Sequence, residues 1–78
     1  MSGTRSHDAL YFATAEQAEG YRRNAEVVRM SRRDARNMVF CGKQCQCRAD
    51  RAWYAHLAWT HHAHARRRLA MALSYVVA

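Results

Sequence analysis

No proline interrupts the 78 residues of this chain, and its two long stretches free of helix breakers are separated by one short cluster, Cys41-Gly42-Lys43-Gln44-Cys45-Gln46-Cys47. A chain punctuated in this way reads as two helices meeting at a hinge. The expected architecture is all-α: an antiparallel two-helix hairpin with a short N-terminal extension, completed by partner chains. The extension covers 1–13 and the hairpin 14–78, the latter divided into a first arm 14–40, a hinge 41–48 and a second arm 49–78.

The extension carries Ser2, Gly3, Thr4 and Ser6 ahead of an apolar knot, Leu10-Tyr11-Phe12. Thr14 followed by Gln17 has capping-box spacing, so the first helix is expected to start there. From Tyr11 the seam positions run Thr14, Ala18, Tyr21, Ala25, Val28, Arg32, Ala35 and Val39, alternating steps of three and four with Arg32 as the break. That alternation is a heptad seam. Gly20 lies inside it at a cost of about 1 kcal/mol relative to Ala, and Gly42 is placed to end the arm.

The second arm repeats the rhythm at Ala49, Ala52, His56, Trp59, Ala63, Arg66, Ala70, Leu73 and Val77. Arms of matched length on a short linker pack antiparallel. Val39 is then expected near Ala52, Ala18 near Leu73 and Val28 facing Trp59 and Ala63. Arg32 falls opposite His56 and Trp59, and Arg66 opposite Tyr21, each guanidinium meeting an aromatic face.

So alanine-rich a seam buries little area, and a chain this short generally needs a disulfide, a metal or a partner. The second arm also has apolar residues outside the seam: Trp53, Leu57 and Met71 on one side, and Leu69, Tyr75 and Val76 around its end. A helix that is apolar on every side is normally enclosed, so these six residues are the expected partner-binding surface.

The net charge of +7 comes from twelve Arg and one Lys against six acids, which points toward phosphates, acidic protein surfaces or anionic lipid headgroups. Coding rich in G and C favours Arg over Lys, but it does not account for the excess of positive charge. Arg22, Arg29, Arg33 and Arg36 share a flank of the first arm, with Glu26 as their main close counter-charge. Arg66, Arg67 and Arg68 form a second cluster, expected opposite Glu16 and Glu19. These seven are the candidate anion or phosphate ligands, the ridge on the first arm being the better placed.

Three cysteines exclude a self-contained framework of disulfide pairs, and the arms lack the paired cysteines of disulfide-stapled helical hairpins. Cys41, Cys45 and Cys47 with His56 have the donor types of a structural zinc site. His56, however, lies roughly 10 Å down the second arm by helical rise, and His61, His62 and His64 lie farther. Zinc, a local or intermolecular disulfide and free thiols remain open, with free thiols and no cofactor as the default of a reducing compartment.

The first residues lack a secretory apolar core, and the longest uncharged apolar-leaning run, 69–78, has ten residues, about half of a bilayer span. An intracellular protein without a transmembrane span is expected, with no recognisable mitochondrial presequence. A Gly-rich phosphate loop, a nucleophile–base pair and a carboxylate pair are all missing from the sequence, so it is not expected to be an enzyme.

Three functions are weighed, in this order. The first is an accessory subunit of a large multi-protein assembly, for example of the mitochondrial respiratory or ATP-synthase type, docking through the second arm with its arginines on acidic surfaces or lipid headgroups. The second is a small basic nucleic-acid-binding protein, either a ribonucleoprotein component or a DNA-binding regulator, although helix-turn-helix spacing is lacking. The third is a self-associating adaptor, four helices from two chains.

Overall fold

The structure is a computed structural model that describes residues 11–76. Among these residues there are two helices and no strand: α1, Ala15–Gln44, and α2, Arg48–Leu73, packed against each other. The expected extension lies outside the described residues as far as residue 10, as does Val77.

α1 starts at the capping pattern. Thr14 is extended (φ −137°, ψ 160°), and its hydroxyl accepts a hydrogen bond from the Gln17 N–H at 3.1 Å. The Gln17 side chain reaches back to accept from the Ala13 N–H at 3.1 Å, one residue earlier than in the usual capping box. Phe12 then packs on Tyr21, ring centroids 5.3 Å apart, and sets the direction from which the chain enters.

Gly42 does not end the helix. α1 runs through it to Gln44, and the connection is only Cys45, Gln46 and Cys47, shorter than the expected hinge. Gly42 serves instead as a contact surface, because a Cβ there would sit 3.3 Å from Cβ of Tyr54. Cys45 stops α1 by turning extended (φ −81°, ψ 137°), its N–H on the Gly42 carbonyl at 3.2 Å. From α2, Arg51 donates to the Cys45 carbonyl at 3.4 Å, and Lys43 adds positive charge to the last turn, where the helix dipole favours it.

The antiparallel register is defined by three contacts: Tyr54 against Gly42, Tyr75 against Gly20, and Arg68 Nη1 donating to Asn24 Oδ1 at 3.2 Å. Tyr54 with Gly42 and Tyr75 with Gly20 lie about one turn from the expected pairing of Val39 with Ala52 and Ala18 with Leu73, whereas the long Arg68 side chain meets Asn24 within about one residue of it. In α1 the buried residues are Ala18, Asn24, Val28, Ser31 and Ala35. Ala18, Val28 and Ala35 are seam residues as expected, whereas Asn24 and Ser31 replace Ala25 and Arg32, and Val39 is exposed. The reason is the cost of desolvating Arg32: a rotation by one residue puts a small hydroxyl in the seam and leaves the guanidinium in water.

In α2 the expected seam faces away from α1. Ala58, Ala65 and Ala72 are buried at seven-residue intervals, and half-buried Tyr54, His61, Arg68 and Tyr75 complete the alternation of threes and fours. Of the expected residues from Ala49 to Leu73, only Ala63 is even half-buried. Trp59 is 62% exposed and Leu73 55%. A displacement of two residues is about 200° around a helix, so the period is as expected and the phase is opposite. Apolar residues occur all round α2, and period alone cannot choose a face; side-chain size chooses it, since alanines admit the closest approach. Arg32 and Arg66, expected against aromatic rings in the seam, are both exposed.

Five alanines and Val28 make up the buried apolar core, and no large side chain is fully buried among the described residues. With extents of 53 × 23 × 14 Å, the hairpin is barely thicker than a single helix. A buried methyl-sized group contributes only about 0.8 kcal/mol, so polar closure has a visible share in this seam. Asn24, 7% exposed, donates through Nδ2 to the Gly20 carbonyl at 2.9 Å while its Oδ1 receives Arg68.

Candidate functional site

The outer face of α2 is built by the same heptad rhythm as the inner one. Ala52, His56, Trp59, Ala63, Arg66, Ala70 and Leu73 form a second seam on the side that α1 leaves uncovered. Trp53, 57% exposed, and Trp59 stand on either side of His56. The His56 ring lies 6.0 Å from the Trp53 ring and 6.4 Å from that of Trp59, nearly parallel to the latter at 19°. The Thr60 hydroxyl folds back onto the His56 carbonyl at 3.0 Å, which keeps this polar group off the aromatic surface.

Of the expected partner-binding residues, Trp53 and Met71 are exposed and Leu57 half-buried. Leu57 is one turn from Trp53, and Met71 about five whole turns, so the three share a flank. Leu69 and Val76 are half-buried. Tyr75 is used within the hairpin: its ring covers Gly20, where a Cβ would come within 2.8 Å of Cζ. Trp59 and Leu73, expected in the inner seam, are surface residues as well. Phe40, 65% exposed near the hinge, is a further uncovered ring.

The two arginine groups differ in their surroundings. On α1, Arg22 lies 3.9 Å from Glu19, Arg33 lies 3.9 Å from Asp34, and Arg29 pairs with Glu26, so carboxylates accompany three of the four ridge residues; Arg36 is exposed. Glu19, expected opposite the α2 cluster, instead lies with Arg22 and, at 4.0 Å, with Arg23. Arg66 and Arg67 are exposed, and no ion pair to them occurs among the described residues. Arg68 turns into the seam beside Asn24, its Nη1 3.9 Å from Met71 Sδ. It lines an open cleft of about 350 Å³ with Glu16, Gly20, Arg23 and Tyr75. No Asp or Glu follows Asp50 in the sequence, which leaves the outer face of α2 without a negative charge of its own beyond the first turn.

At the hinge all three cysteines are free, Cys41 and Cys45 half-buried and Cys47 exposed. Cys45 Sγ donates to the Cys41 carbonyl at 3.3 Å. Cys47 occupies the N-cap of α2 without closing a cap hydrogen bond from its side chain. The N–H groups of Asp50 and then Ala49, directed at the sulfur, hold the Cys47 thiol below its ordinary pKa, with desolvation opposing weakly. Among the described residues no three His, Cys, Asp or Glu side chains converge as a metal site. His56, the expected fourth ligand beside the cysteines, is stacked with the Trp59 indole and tilted against that of Trp53. Nor is any helix among them long and apolar enough to cross a membrane.

No family model matches the sequence, and no curated protein or solved structure matches it significantly.

Proposed function

We propose that the protein is a non-catalytic accessory subunit, a helical hairpin that docks on other protein chains of a larger intracellular assembly through the outer face of α2. One observation carries this reading: α2 repeats its seam on the side that α1 does not cover, with Trp53, Trp59 and Leu73 in water while five alanines and one valine form the core. Large exposed side chains at seam spacing are what a helix presents when its packing partner is another chain. The arginines then meet acidic surfaces or lipid headgroups at the rim. An assembly of the mitochondrial respiratory or ATP-synthase type is the kind of setting that such a subunit fits.

A nucleic-acid-binding reading is favoured by one feature, the uncompensated charge at Arg66 and Arg67. Salt dependence separates the two. Recovered from its native source with a tag, the full chain should retain its protein partners in about 0.5 M salt, where exposed charge pairs are largely screened. The double variant Trp53→Ser/Trp59→Ser should lose them. Release by moderate salt or nuclease, with the tryptophan variant still bound, would put nucleic acid first.

A further inference from the structure

We infer that the outer seam of α2 receives one helix of a partner protein whose flanking positions carry Asp and Glu, and that a second copy of this chain does not fill it. The inference rests on the docking reading above and adds the chemistry of the occupant.

Shape sets the first constraint. Ala52, Ala63 and Ala70 are small residues at seam spacing, bordered by the Trp53 and Trp59 indoles, a relief that accepts side chains from a helix lying along α2. Charge sets the second. Arg48, Arg66 and Arg67 are exposed around this face with no ion pair among the described residues, and Asp50 is the one acid in α2. Packing α2 on α2 of a second copy would bring Arg48, Arg66 and Arg67 from each chain into one interface against one carboxylate per chain, on a molecule of net charge +7. Like charges brought together in this way select against self-pairing and in favour of a foreign helix with acidic flanks.

A nucleic acid fits the same face less well. The His56 ring lies 6.0 Å from the Trp53 ring and 6.4 Å from that of Trp59, so one side of each indole already faces the imidazole rather than a base. Beyond the arginines the surface continues as Ala70, Met71 and Leu73, which offers aliphatic contact and no stacking.

The chain supplies its own reporter, because its two tryptophans both belong to this face. The full-length protein is titrated with a synthetic helical peptide of about four heptads carrying Leu and Ala at its seam and Glu at its flanks, and with the same peptide bearing Lys in place of Glu. The expected result is a blue shift of tryptophan emission with the Glu peptide, tighter than with the Lys peptide by about tenfold or more, corresponding to about 1.4 kcal/mol. The exposed double variant Arg66→Glu/Arg67→Glu, with helicity checked by circular dichroism, should reverse that preference.

Equal response to both peptides, no response to either, or a preference that does not reverse overturns the inference. So does a blue-shifted dimer in sedimentation equilibrium without peptide, which assigns the face to a second copy. A shift driven by single-stranded oligouridylate that displaces the Glu peptide assigns it to nucleic acid. The docking reading itself fails in a different way: the tryptophans stay open to quencher in the complex recovered from the native source.

Discussion

α1 and α2 are of similar length and pack on each other, yet they treat their outward faces in opposite ways. α1 places Glu19, Glu26 and Asp34 beside Arg22, Arg29 and Arg33, so weak exposed ion pairs line much of its solvent side, with Met30, Val39 and Phe40 also exposed on this helix. α2 has no acid after its first turn and displays two indoles, an imidazole and Leu73 on the corresponding side. The difference is that ion pairs occupy much of the outward face of α1, whereas α2 carries a second seam that α1 does not cover. On the docking reading proposed above, that second seam takes a second neighbour.

The largest effect that tests this contrast comes from the inner seam. Val28→Asp places a carboxylate at the one buried position larger than alanine in the apolar core, and it should cost about 3–5 kcal/mol, enough to abolish the far-ultraviolet helix signal of the chain alone. Ala63→Asp, on the outer seam, should leave that signal in place; equal damage from the two would refute the assigned phase of α2. Next in size, Ala65→Leu overpacks the contact between the helices and should lose about 1–3 kcal/mol in urea unfolding. Ala63→Leu should stay within about 0.5 kcal/mol of the parent.

Arg68 sharpens the contrast within one arginine cluster. Arg68→Ala leaves the buried Asn24 Oδ1 without its donor and should cost about 1–2 kcal/mol. Arg66→Ala should change stability by only a few tenths of a kcal/mol, as an exposed residue with no ion pair among the described ones. The smallest effect is chemical. Cys47 is the exposed thiol of the three, and the Asp50 and Ala49 N–H groups hold its pKa below the ordinary value, which favours its thiolate. Iodoacetamide should therefore label Cys47 ahead of Cys41 and Cys45, with a rate that levels off at lower pH than in the urea-unfolded chain. Mass spectrometry of the labelled peptides reads this directly, and labelling at equal rates would contradict it.

Much of the hairpin was legible in the sequence because local chemistry decides it. The Thr14 and Gln17 cap, the absence of proline and the steps of three and four each act within a few residues; the helix start and the period are found as expected, but not the residues that the seam buries. Phase was not legible, because alanine is compatible with either side of a helix and α2 is apolar all round. A signal for it was nevertheless present. Gly20 and Gly42 lie 22 residues apart, Tyr54 and Tyr75 lie 21 apart, and in antiparallel order each tyrosine covers one glycine. Read as bulk matched to space, those four residues specify both the register and the inner face of α2. Gly42 was misleading for a related reason: a glycine near the end of a periodic run resembles a helix stop, while here its missing Cβ makes room for the neighbouring helix. Once the inner face of α2 is known, Arg68 falls on it seven residues before Tyr75, but its partner Asn24 is 44 residues away and no local pattern carries that pairing.

The proposal that α2 needs a second neighbour is tested most directly by the thermal unfolding of the isolated full-length chain, followed by circular dichroism with sedimentation to define its state. With an inner seam of alanines and the outer seam uncovered, the chain alone should melt broadly, with a midpoint below about 45 °C, the lower end of the range for ordinary mesophilic domains. A monomer unfolding cooperatively above about 60 °C, within the upper part of that range, would mean that the hairpin is complete in itself and that the outer face of α2 is merely surface.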